Sequence, residues 1–185
     1  MKYSMKKIFA VAVTIFGVTL FSGCASINAT KTTSLPSQAK ILVMPPHDVV
    51  QGGKPHVVGK GSGEKLQRSI QREFSSMSDY QVSVFQANET FKHTETFSRD
   101  AAVAESVKQG SNYCLILTLG EFRNAAPMTF RTDFVTLSGG VLIDVNTKQE
   151  VWTLREPLLL EKTNIGNHYG LIDEIARFVA QSISK

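Results

Sequence analysis

Apolar positions in this chain follow two different spacings, and the spacings predict its elements. Ile41-Leu42-Val43-Met44 is an unbroken apolar run stopped by Pro45-Pro46, the pattern of a short strand. Further on, Leu66, Ile70, Phe74 and Met77 fall on one face at the helical period, with Ser62 as the expected N-cap and Glu64 suited to the positive helix end. Tyr80 to Phe85 alternates as a half-buried strand, and a polar stretch follows it to residue 97. Ser98 is positioned to cap a second helix running to Gln109, with Val103, Ala104 and Val107 inward and Gly110 at its C′ position. Tyr113 to Leu119 is apolar almost throughout, which predicts a central strand covered on both faces.

The last third alternates strands with turn signals. Thr129 to Leu137 and Val141 to Val145 are strand material, interrupted at Gly139-Gly140 by an expected bulge or bend. Asn146 to Gln149 turns the chain back into Glu150 to Arg155, and Leu158 to Leu160 extends that strand or adds an edge strand after Pro157. A final helix is predicted from Leu171 to Ile183, burying Leu171, Ile172, Ile175, Phe178, Val179 and Ile183. Helices and strands that interleave and then give way to a meander imply an α/β fold: one layered domain, residues 40–185, with a mixed sheet of about five strands and three helices.

The segment ahead of this domain has its own pattern. Lys2, Lys6 and Lys7 precede an uncharged, mostly apolar run from Ile8 to Phe21, and Ser22-Gly23-Cys24 closes it. A helix over that run spans about 21 Å against a hydrocarbon core of about 30 Å, so it reads as an export signal rather than a permanent span. Met5 could equally be the start, because Met5-Lys6-Lys7 with the apolar run is a complete signal. Leu20-Phe21-Ser22-Gly23-Cys24 resembles the lipobox of bacterial lipoproteins, which implies a signal peptide over residues 1–23 and a diacylglyceryl thioether on Cys24. Ordinary cleavage near Ala25 is the competing reading. By the same resemblance, Ala25 after the cysteine implies sorting to the outer membrane, facing the periplasm.

Residues 25–39 are rich in Ser, Thr, Asn and Ala without an apolar period, and residues 24–39 are expected to form a lipidated tether. Fully extended, residues 25–39 would reach about 50 Å and hold the domain clear of the bilayer. With Cys24 alkylated, Cys114 has no partner for an intramolecular disulfide.

Charge then narrows the function. The chain carries 20 basic and 16 acidic residues, but three of the lysines lie in the leader, so the remainder is almost neutral. No basic surplus is left for a nucleic-acid face.

Motifs for chemistry are sparse. Ser62-Gly63-Glu64-Lys65 matches the S-x-x-K of penicillin-recognising enzymes, but Ser78-Asp79-Tyr80 and Lys162-Thr163-Asn164 both depart from the companion motifs at the third residue. Gly59-Lys60-Gly61-Ser62-Gly63 before a helix has the look of a phosphate cradle without the terminal G-K-[ST]. His93 and Glu95 could share a strand face, but no third ligand stands at a metal-binding spacing. Cys114 inside an apolar run should be a buried, inert thiol. No cofactor, no metal and no catalytic residue is expected.

Two groups suit binding instead. Arg123, Arg131 and Arg155 punctuate the strands beside Phe122, Phe130, Phe134 and Trp152, a composition enriched at protein interfaces; strand alternation with aromatics inward and arginines outward explains it too. Arg123, Arg131, Trp152 and Arg155 are the candidate interface. The polar loop from Thr163 to Gly170 and the Gly-rich loop 45–63 form a second candidate, with Ser62, Asn164, Asn167 and His168.

Taken together, ILVMPP, Gly61-Ser62-Gly63, VLIDVNTKQEVW and KTNIGNHYGLIDEIARFV are similar to a family of small bacterial outer-membrane lipoproteins defined by a domain of unknown function. The general shape also resembles the amino-terminal domain of TolB, the curli-secretion lipoprotein and the penicillin-binding-protein activator lipoproteins. The resemblance implies a non-enzymatic adaptor at the envelope, anchored through Cys24 and binding a protein partner, with a small ligand or glycan on the loops 45–63 and 161–170 as the alternative.

Overall fold

A computed structural model describes residues 29–47, 50–51, 54–55, 61–77, 79–123, 133–162 and 168–185. Along the chain these form β1 (Ala29–Lys31), β2 (Lys40–Val43), β3 (Val50–Gln51), β4 (Lys54–Pro55), α1 (Ser62–Ser76), β5 (Gln81–Val84), α2 (Arg99–Lys108), β6 (Tyr113–Arg123), β7 (Asp133–Asp144), β8 (Glu150–Leu154), β9 (Leu158–Lys162) and α3 (His168–Ser184). The fold is α/β, with a mixed sheet of seven strands in the order β1-β8-β7-β6-β2-β5 and β9 paired to β7 beyond the end of β8. β3 and β4 form a separate two-stranded ribbon. The sheet is thus wider than the five strands expected.

Connection lengths explain the mixture. β2 pairs in parallel with both β5 and β6, and each crossover carries a helix. The rest of the sheet is antiparallel, as short connections allow: β7 pairs with β6, β8 and β9. The bulge expected near Gly139-Gly140 is present: Thr118 faces Gly139 while Leu119 faces Leu137, leaving Ser138 as the extra residue. β7 nevertheless runs through the glycines as one strand.

Strand alternation splits the core into two layers. Ile41, Val43, Leu115, Leu117, Val135, Leu137 and Leu142 face α1 and α3, which contribute Leu66, Ile70, Phe74, Leu171, Ile175 and Val179. Leu42, Met44, Cys114 and Ile143 face the opposite way, where Ala102 and Val103 of α2 meet Phe85 and Phe91. Tyr113 to Leu119 is therefore a central strand with core on both sides, as its continuous apolarity requires. α1 and α3 lie side by side in the same direction, since Lys65 meets Asp173 at one end and Ser184 meets Met77 at the other.

The helix ends follow backbone chemistry. Ser98 accepts a hydrogen bond from the Ala101 amide at 3.1 Å, the expected N-cap. At the other end Gly110 adopts φ 68°, and the amides of Gly110 and Ser111 donate to Val107 and Ser106, each at 3.0 Å. That is a Schellman close, which needs the left-handed residue glycine tolerates. The inward face of α2 is Ala102, Val103 and Ser106, whereas Val107 is 58% exposed and Ala104 is also outside, because only one narrow stripe meets the sheet. Gly61, not Ser62, stands at the N-cap of α1, with φ 80°. Ser62 is the first helical residue, and it is buried.

The largest departure from the sequence reading is β1. Ala29, Thr30 and Lys31 pair with Leu154, Thr153 and Trp152, and the Thr32 amide donates to Val151 at 2.9 Å. Residues 29–31, inside the expected tether, are thus part of the sheet, and four residues stand between Cys24 and Ala29 in the sequence.

Candidate functional site

The parallel strands β2 and β5 finish side by side, and Gln67 of α1 closes the gap between their ends. Its Nε2 donates to the carbonyls of Val43 and Phe85, each at 2.8 Å and buried. The Val43 carbonyl also accepts from the Phe85 amide at 2.9 Å, so the Phe85 carbonyl is the acceptor that relies on this side chain. Just outside, Phe85, Phe91 and Phe97 stack edge to face with centroids 5.1 and 5.2 Å apart, and His47 sits 5.9 Å from Phe97. His93 Nδ1–H donates to the Pro46 carbonyl at 2.7 Å, which ties the stretch after β5 to the one after β2. Those bonds give the two histidines structural partners. Glu95 is engaged by Lys92 at 3.5 Å, and among the described residues no three His, Cys, Asp or Glu side chains gather as a metal would need.

Cys114 lies at the base of this layer, fully buried. Burial pushes its thiol pKa up to about 11, against smaller opposing effects from the Ser106 hydroxyl and the Arg99 charge. The thiolate needed for nucleophilic work is thus scarce at neutral pH.

Of the candidate interface residues, Trp152 and Arg155 are the two whose side chains are described. Trp152 is 1% exposed and packs in the core between the sheet and the helices, so it is not available to a partner. The aromatic faces inward because β8 alternates, the competing explanation given above. Arg155 is exposed just past the end of β8, whereas Arg123 ends β6 opposite Phe134. Arg131 lies outside the described residues. So do Asn164, Asn167 and Cys24, and nine of the nineteen residues of the loop 45–63; His168 opens α3, and Ser62 is buried at the start of α1.

A feature not anticipated from sequence lies along β5. Among the described residues this strand pairs only with β2, and no strand lies on its other edge. Beside it runs a polar trough between the strand and the C-terminal end of α2. One cavity of about 370 Å³ is lined by Lys40, Gln81, Ser83, Gln109 and Ser111, among others. A second of about 360 Å³ continues past Gln109 to Gln86 and Asn88. Parallel register directs the backbone groups of Gln81, Ser83 and Phe85 to β2, so those of Val82 and Val84 point outward. Gln71 Nε2 reaches the Val82 carbonyl at 3.3 Å. An edge of this kind, with a groove beside it, can accept an extended peptide through main-chain hydrogen bonds. The sequence signal was slight: Gly110, which ends α2 in time to leave the trough open.

Two solved structures share this architecture, and a third aligns less closely. The PelC dodecamer from Paraburkholderia phytofirmans aligns at TM-score 0.58 and 15% identity, covering 84% of this chain and 92% of that one. The hypothetical protein CT253 from Chlamydia trachomatis aligns at 0.50 and 10%, covering 80% and 98%. Lipoprotein GNA1162 from Neisseria meningitidis gives 0.49 and 22%, covering 78% and 97%. No family model matches the chain, and no curated protein does either. The likeness expected from the motifs therefore stands at the level of the fold. Among the described residues no helix is long and apolar enough to cross a membrane.

Proposed function

We propose that this protein is a lipid-anchored, non-enzymatic accessory domain of the bacterial envelope, held on the periplasmic face of the outer membrane and binding another envelope component, in the first place a protein. The observation that carries the reading is the leader: lysines, a short uncharged run, then Ser22-Gly23 immediately before the thiol of Cys24. Acyl chains contribute about 0.8 kcal/mol per buried methylene, so two or three of them make the anchor effectively permanent. The open edge of β5 with its trough supports the binding half of the proposal, because it offers backbone donors and acceptors to an extended segment.

Mass spectrometry of the mature protein tests the anchor: the expected product begins at Cys24 and carries a diacylglyceryl thioether. An unmodified thiol, or protein retained in the cytosol, overturns the reading. In-cell crosslinking from a photoreactive residue in place of Ser83 or Gln109 tests the adaptor role. Recovery of one defined envelope protein from both positions is expected. Adducts spread over unrelated proteins, or none, overturn it.

A further inference from the structure

We infer that the edge of the sheet formed by β1 and β9 lies against the lipid headgroups, and that the β5 edge is turned away from the bilayer. The inference rests on the anchor reading and on one measurement that reading did not use, the distance along the chain from Cys24 to the sheet. Ala29 is hydrogen-bonded into the sheet opposite Leu154. Five residue steps separate it from Cys24, a reach of about 17 Å at full extension. That is a third of the span expected from a tether through residue 39.

The point of entry is as informative as the length. Ala29 opposite Leu154 places the incoming chain next to Arg155, where β8 gives way to β9. From β1 to β5 the sheet takes five inter-strand steps, about 24 Å at 4.8 Å each. The anchor is therefore attached at one extreme of the sheet, and the open β5 edge lies at the other.

The chemistry of the near edge suits a headgroup layer. Arg155 is exposed and forms no ion pair among the described residues. Four residues on, Leu159 of β9 is 51% exposed, one of two large apolar side chains left out of the core among the described residues. A cation and an exposed apolar side chain presented from one edge of the sheet can meet a lipid phosphate and the acyl boundary together. Glu156 and Glu161 are exposed on the same edge, so the contact depends on attachment rather than on net charge.

The test uses the full-length lipoprotein in vesicles of phosphatidylethanolamine and phosphatidylglycerol. A benzophenone amino acid replaces either Arg155 or Ser83, and lipid adducts are counted after illumination. At least fivefold more adducts at position 155 than at 83 are expected. A ten-residue Gly/Ser insertion after Ala25 should shrink that ratio towards one. Equal adducts, or more at 83, with the Cys24 lipid confirmed by mass, overturn the orientation alone. Cys24 found unmodified in the same samples overturns the anchor reading and the orientation with it.

Discussion

The Gly140 backbone lies directly against the Trp152 ring: a Cβ at Gly140 would stand 2.9 Å from Trp152 Cζ3 and 3.0 Å from Leu117 Cδ2. The indole is fully buried on the helix side of the sheet, and β7 can pass beneath it only as bare backbone. Gly140→Ala should therefore cost about 1–3 kcal/mol, the usual range for overpacking a close-packed core. Urea unfolding followed by tryptophan fluorescence would read it directly, since Trp152 is the single tryptophan. A loss below a few tenths of a kcal/mol would mean that the ring can move aside.

Gln67 offers a second, polar test. Replacing it by Leu keeps the bulk but takes the donor from the Phe85 carbonyl, while the Val43 carbonyl keeps the Phe85 amide. An orphaned buried acceptor costs about 1–3 kcal/mol. Gln67→Glu should be at least as damaging near neutral pH, because a carboxylate cannot donate to either carbonyl. Thermal unfolding of both variants would settle the order.

The acid limb of stability should depend on Asp173. Burial opposes ionisation of its carboxyl, but hydrogen bonds from Ser69 (2.6 Å), Lys65 (3.4 Å) and Arg72 (3.0 Å) outweigh that cost and hold its pKa below the ordinary aspartate value. A depressed folded-state pKa favours the fold above the unfolded value of about 3.9, and the advantage disappears as pH falls through the folded pKa. Asp173→Asn should lower stability at pH 7 and flatten its loss below about pH 4. Unfolding free energies from pH 2 to 7 would check the slope.

Thiol reactivity separates the two cysteines. With its thiol raised to about 11 and its side chain buried, Cys114 should resist maleimide at pH 7 until the protein is unfolded. Unlipidated protein should accordingly gain one label, at Cys114, on going from native conditions to denaturant. Labelling of Cys114 in the native state would show that α2 opens.

What the sequence made legible was whatever a periodic pattern controls. Leu66, Ile70 and Phe74, or Leu171, Ile175 and Val179, can be buried together only on a helix, and all six are fully buried. Ser98 and Gly110 marked the ends of α2 because each supplies a bond or dihedral that few residues can. Other features have no local signature. Ala29-Thr30-Lys31 carries no apolar run, and its strand exists because β8 offers a free edge more than a hundred residues later. Ser62 and Gly61 are both good caps, and the choice depended on a backbone angle that composition does not encode. Trp152 and Arg155 looked like neighbours in an interface because they are close in sequence. Strand alternation buried one and exposed the other.

The union of β1 with β8 also sets an order of events. The Thr32 hydroxyl and the Val151 carbonyl it meets are 119 positions apart, and a contact of that separation carries a large loop-closure cost and forms late. During synthesis the amino end emerges first, yet it must wait for almost the whole polypeptide before its docking place exists. Maturation thus finishes where the chain first appeared, and a nascent molecule stalled before Glu150 would leave its leading strand unzipped.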